Sequence, residues 1–108
     1  WFRKDDEGNF MWPGFGDNLR VLEWIINRCE GKVDAKSTEI GYIPYAEDIN
    51  IEGLEGEVSL DSLKSILEVE KELWQEDAKG IEEFYAKFGD KIPAVLAEEL
   101  ATLKKNVQ

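Results

Sequence analysis

The sequence predicts a mostly helical chain with minor β structure, on three observations. Apolar residues recur at helical spacing through three stretches, start and stop signals fall between those stretches, and only two short runs read as extended. Trp1 to Gly16 stands apart. It holds five aromatics, three glycines and a proline with no clean period of 3.6 or 2, which reads as an ordered loop held by aromatic packing.

After that loop, Asp17 or Asn18 offers an N-cap. Val21, Leu22, Ile25, Ile26 and Cys29 then keep helical spacing until Gly31 supplies a left-handed stop, so a helix is expected over about 18–30. The run Thr38 to Pro44 is β-branched and aromatic and ends on a proline, as an edge strand or extended connector does, and Asn50 to Leu54 reads as a second extended piece. Ser59 precedes Leu60, Leu63, Ile66 and Leu67, and the spacing continues through Leu73, Trp74, Ile81, Phe84, Tyr85 and Phe88 to Gly89. That stretch predicts a short helix and then a long one, broken near Leu67 to Val69. Pro93 opens a last helix with Val95, Leu96, Leu100, Leu103 and Val107 on one face and Lys104 and Lys105 at its dipole-complementing end.

The chain has 108 residues, the size of one small domain, with 43% hydrophobic and 34% charged residues. With 24 acidic and 13 basic side chains its net charge is −11, which argues against nucleic acid and anionic membranes as partners. A single nucleotide remains compatible, because a local pair such as Arg3 and Lys4 can outweigh the global field at close range. One cysteine precludes an internal disulfide and no apolar run approaches the roughly 20 residues of a membrane span, so a cytoplasmic setting is expected. The opening Trp1-Phe2 suggests a piece of a longer protein.

There is no histidine, no cysteine pair and no GxxxxGK[ST] stretch, so these residues offer no imidazole ligand, no histidine acid or base and no Walker-type phosphate cradle. The carboxylates read as solvated helix faces. Cys29 reads as a small buried hydrophobe, and Trp24, Trp74, Phe84, Tyr85 and Phe88 as core or domain-contact residues. The aromatic loop is what carries chemistry. Flat rings stack on purines, glycines on both sides of Phe15 permit close backbone approach, and the Asn18 amide can donate to and accept from a base edge. The same five aromatics can equally form a plain core patch, and their abundance does not choose between the two.

Their order does. Trp1-Phe2-Arg3-Lys4-Asp5, then Gly8 and Phe10, and Trp12-Pro13-Gly14-Phe15-Gly16 with Asn18 closely resemble the guanine-binding stretch of GTP-dependent phosphoenolpyruvate carboxykinases. Arg20-Val21-Leu22-Glu23-Trp24, Asn27-Arg28, Gly31 and Ile40-Gly41-Tyr42-Ile43-Pro44 continue the resemblance, which is close to Pro44 and looser beyond. It implies that residues 1–18 are a guanine-binding loop and residues 19–108 helices with short extended segments. Together these would form the helical carboxy-terminal part of a mixed α/β nucleotide-binding domain.

In that resemblance Phe2 and Phe15 sandwich the guanine, Phe10 packs on its edge and Asn18 reads the polar edge. Trp1, Trp12, Pro13, Gly14 and Gly16 support the rings, and Arg20 is a structural ion-pair residue. The implied reaction converts oxaloacetate and GTP to phosphoenolpyruvate, carbon dioxide and GDP, in gluconeogenesis or anaplerosis. No catalytic residue or metal ligand is implied among residues 1–108. The Mn2+ and Mg2+ ligands, phosphate loop and substrate arginines would belong to the remainder of a monomeric parent enzyme, leaving this piece inactive alone. The competing readings are a free-standing acidic helical interaction module with no ligand, and an ATP-using relative.

Overall fold

The computed structural model describes all of residues 1–108 and is mostly helical with one small β-hairpin. A 3-10 turn over Phe15–Asn18 runs directly into α1 (Leu19–Cys29). The hairpin β1 (Lys36–Thr38) and β2 (Gly41–Ile43) follows, then a 3-10 turn at Ala46–Asp48, α2 (Leu60–Ile66), α3 (Lys71–Ala86), a 3-10 turn at Gly89–Lys91 and α4 (Ala94–Asn106).

The chain forms two compact units, one of Trp1–Ser37 with Tyr42–Glu68 and one of Thr38–Gly41 with Val69–Gln108. The first is built on a cluster of Trp12, Trp24, Ala46, Ile49, Leu54, Val58 and Leu63, flanked by half-buried Val21, Val33 and Ile66. In the second, α3 and α4 pack on each other through the short Gly89–Lys91 connection. Ala78 and Val107 are its buried residues, Gln75 Nε2 donates to the Val107 carbonyl at 2.6 Å, and Lys104 pairs with Glu82 at 2.8 Å.

Most helix boundaries follow local chemistry. Ser59 and Ser62 form a reciprocal capping box: the Ser59 hydroxyl accepts from Ser62 N at 3.0 Å, and the Ser62 hydroxyl accepts from Ser59 N at 2.9 Å. The break expected near Leu67 is present, since α2 ends at Ile66 and α3 begins at Lys71. Pro93 precedes the first turn of α4, with Lys104 and Lys105 in its last.

Four expectations change. The run Thr38 to Pro44 holds the turn and second strand of a hairpin that begins at Lys36, rather than one strand or extended connector. The chain reverses at Glu39 and Ile40, with the Thr38 hydroxyl donating to the Gly41 carbonyl at 2.7 Å and Gly41 at φ 114. Asn50 to Leu54 is turn rather than strand, because Asn50 Oδ1 accepts from Glu52 N at 3.0 Å and Gly53 takes φ 84. Asn18 does stand at the N-cap position of α1, but with helical dihedrals and no side-chain cap bond, its amide being engaged by Trp12.

The fourth concerns Cys29, which is exposed rather than buried. The buried side of α1 runs through Arg20, Val21, Trp24 and Asn27, so the stripe of Leu22, Ile25, Ile26 and Cys29 is turned away from the cluster that Trp24 enters. The large indole, not the more numerous aliphatic residues, sets the helix rotation. Among the other aromatics singled out, Trp74 and Tyr85 are half-buried whereas Phe84 and Phe88 are exposed and meet edge to face at 5.2 Å. The outer face of α4 is open at Val95 and Leu96.

Candidate functional site

The loop before the first 3-10 turn closes on itself around a carboxylate. Asp5 Oδ1 accepts from Asn9 N at 2.8 Å and Glu7 N at 3.0 Å, while Asp5 Oδ2 accepts from Asn9 Nδ2 at 3.3 Å. These bonds hold the Asp5 carboxyl below its ordinary range, the bond from the Asn9 backbone being the largest cause. Backbone pairing continues outward, with Asp5 N donating to Asn9 O, Met11 N to Arg3 O, and an antiparallel bridge between Lys4 and Phe10. Gly8 closes the turn at φ 85, a conformation most side chains resist.

That closure brings Phe2 and Phe10 edge to face, centroids 6.2 Å apart, and sets Lys4 Nζ 5.1 Å from the Phe10 centroid. Arg3 turns away. Its guanidinium donates to the Ile66 and Glu68 carbonyls at 3.4 and 3.3 Å, at and beyond the end of α2, so it ties the loop to a helix terminus instead of offering charge to a ligand.

Phe15 follows Gly14, which sits at φ 74, and is itself in the left-handed region at φ 49, where a non-glycine residue is strained by about 1 kcal/mol or more. Its ring is 96% exposed. Trp12, by contrast, is buried in the core and donates its indole Nε1 to Asn18 Oδ1 at 2.9 Å. Arg20 anchors the turn from behind, donating to Asp17 Oδ1 at 3.0 Å and to the Asn50 carbonyl at 2.9 Å, which is the structural role its sequence context implied.

Together these segments enclose a cleft of about 500 Å3 lined by Trp1, Phe2, Phe10, Trp12, Pro13, Gly14, Phe15 and Asn18. Its volume suits a small-molecule pocket. Volume alone does not single it out, since a cleft of about 610 Å3 between α3 and α4 has Tyr85 as its one ring and another of about 500 Å3 has only Tyr45. What distinguishes the loop cleft is five aromatic side chains, one amide and no charged group in its lining, in a chain of net charge −11.

Of the nine residues singled out in the sequence, eight meet in this cleft. Gly16 does not. It lines a shallow depression with Asp17, Leu19 and Arg20 instead. Asp5 and Asn9 shape the loop without lining the cleft, and their signal in the sequence is turn chemistry, an Asp followed by a glycine and an asparagine. No three acidic, cysteine or histidine side chains converge, so the manganese and magnesium ions implied by the resemblance have no fitting donor set here. No helix is long and apolar enough to cross a membrane.

The geometry thus defines a mostly helical chain with an uncharged cleft lined by five aromatic side chains and one amide. Comparison with known proteins gives the family. The family profile described as the phosphoenolpyruvate carboxykinase C-terminal P-loop domain matches residues 1–106. The chain is 47% identical over 104 residues to the phosphoenolpyruvate carboxykinase (GTP) of Paenarthrobacter aurescens (strain TC1), covering 96% of this chain and 17% of that protein. It is 44% identical over 107 residues to that of Arthrobacter sp. (strain FB24), covering 99% of this chain and 17% of the relative. Against that of Treponema pallidum (strain Nichols) it is 45% identical over 108 residues, again covering 99% of this chain and 17% of the relative. The chain belongs to the GTP-dependent phosphoenolpyruvate carboxykinase family, and spans about 17% of the length of these relatives.

Proposed function

We propose that this chain is the guanine-selecting part of a carboxykinase that converts oxaloacetate and GTP to phosphoenolpyruvate, carbon dioxide and GDP. The single observation that carries the proposal is Phe15, a strained and 96% exposed ring on the wall of an uncharged aromatic cleft. Backbone strain with an exposed apolar ring is costly to folding and is retained where a ligand covers the ring. Phe2 and Phe15 stack on the base, Phe10 meets its edge, and Asn18 contacts its polar groups. Trp1, Trp12, Pro13 and Gly14 shape the walls.

The chemistry belongs to residues outside this chain, which supplies neither a histidine nor a fitting metal-donor set. Mn2+ and Mg2+ would supply charge neutralisation on the phosphates from there. The contribution assigned to residues 1–18 is binding energy and choice of base, with GTP and GDP as the ligands. The open aliphatic face of α1, including Leu22, Ile25 and Ile26, is where we place contact with the remainder of the enzyme, a monomer working in the cytosol.

Steady-state kinetics of the full-length enzyme test the proposal. Phe15→Ala is expected to raise the KM for GTP roughly tenfold or more, on stacking worth about 1 to 3 kcal/mol, with a smaller change in kcat. Equal losses in kcat and kcat/KM would place Phe15 in transition-state stabilisation and contradict the assignment.

A further inference from the structure

The polar end of the aromatic cleft is organised by one hydrogen bond, from Trp12 Nε1 to Asn18 Oδ1 at 2.9 Å. An indole N–H donates and does not accept, so of the two ends of the Asn18 amide only the oxygen can partner it. Trp12 has little freedom to turn, being 7% exposed within the cluster that contains Trp24, Ile49 and Leu54. Asn18 is equally fixed in its backbone, at the junction of the 3-10 turn with α1. Its Nδ2 takes part in no hydrogen bond of the chain, so the amino end is left for whatever occupies the cleft.

We infer that Trp12 is a positioning residue that sets the base preference, by locking the Asn18 amide with its amino end toward the ligand; this rests on the guanine-pocket reading above. Guanine carries the acceptor O6 where adenine carries the donor N6 amino group. A fixed Nδ2 amino group bonds the first and meets the second donor to donor. An amide free to turn would offer oxygen to adenine and nitrogen to guanine, and would discriminate poorly. The indole thus makes a two-way amide into a one-way reader. Hypoxanthine, which keeps the oxygen, is accepted on the same grounds.

The test compares dissociation constants of GTP, ITP and ATP for the full-length enzyme and its Trp12→Phe variant, which keeps an aromatic ring in the core and removes the N–H. The GTP-to-ATP affinity ratio should fall on the order of tenfold, as one lost base-edge discrimination. An unchanged ratio, or an equal loss for all three nucleotides, would overturn it, because a merely structural ring affects every base alike. Asn18→Asp offers a second route that leaves Trp12 packing intact. An oxygen replaces Nδ2, so the preference for GTP and ITP over ATP should collapse, and its persistence would count against the inference. Phe15→Ala serves as the control for the pocket itself. If it weakens GTP binding while Trp12→Phe leaves the ratio alone, only the amide lock is wrong; if Phe15→Ala is silent, the pocket reading falls.

Discussion

Phe15 combines two unfavourable features, a left-handed backbone at φ 49 and a ring exposed to 96%, and neither contributes to the core. Its replacement should therefore separate stability from binding. Phe15→Gly relieves the strain while adding unfolded-state entropy, two effects of similar size near about 1 kcal/mol, so thermal melting should shift by a few degrees at most. Guanine affinity should nonetheless fall, and a large drop in melting temperature would show the ring to be structural instead. Trp24 is the opposite case. It is buried, and its Nε1 has no partner, so Trp24→Phe discards an unsatisfied donor along with some packing. Denaturant titration should find Trp24→Phe clearly milder than Trp24→Ala, for which about 3 to 5 kcal/mol is expected; equal costs would contradict that account.

Among the elements, the Asp5 turn couples its order to pH through its own carboxyl. Its carboxyl is held below the ordinary value by bonds it accepts only in the folded loop. A carboxyl with a lowered folded pKa contributes above the unfolded value, near about 3.9, and loses that contribution as pH falls through the lowered one. Loop order, followed by NMR of the Asn9 amide, should be flat from about pH 5 to 8 and decline below about pH 4. Asp5→Asn should remove that acid transition, and its survival in the variant would point to another group. The helices themselves were legible in the sequence wherever a cap or stop accompanied the period, as at Ser59, Pro93 and Gly31. Short segments were less legible, because Gly41 and Asn50 reverse the chain through geometry that period-2 patterns do not register. The rotation of α1 was hidden for a different reason. Counting aliphatic residues favoured the side bearing Cys29, while burial follows the single large indole of Trp24. For the site, residue types and order identified the cleft lining. The Trp12 to Asn18 bond was not legible, since no spacing rule links an indole to an amide six residues on.

At the scale of the whole molecule, the two units differ in how much each buries. The first holds seven buried apolar residues in one cluster, whereas the second relies on Ala78, Val107 and half-buried contacts between α3 and α4. Native-state hydrogen exchange of the 108-residue chain should show faster exchange across α3 and α4 than across α1 and α2, and uniform protection would contradict a stability set by this difference in burial. Leu19, Leu22, Ile25 and Ile26 also leave α1 with an uncovered aliphatic face despite a net charge of −11. The isolated chain should accordingly self-associate in sedimentation experiments, more so at high salt where repulsion is screened. Ile26→Glu should reduce the effect. Choice of base is read most directly by titrating the full-length protein with GDP, IDP and ADP. Binding of GDP and IDP with ADP weaker by about tenfold or more is the expected result; equal affinity for all three, or no affinity for the guanine and hypoxanthine nucleotides, would contradict the account.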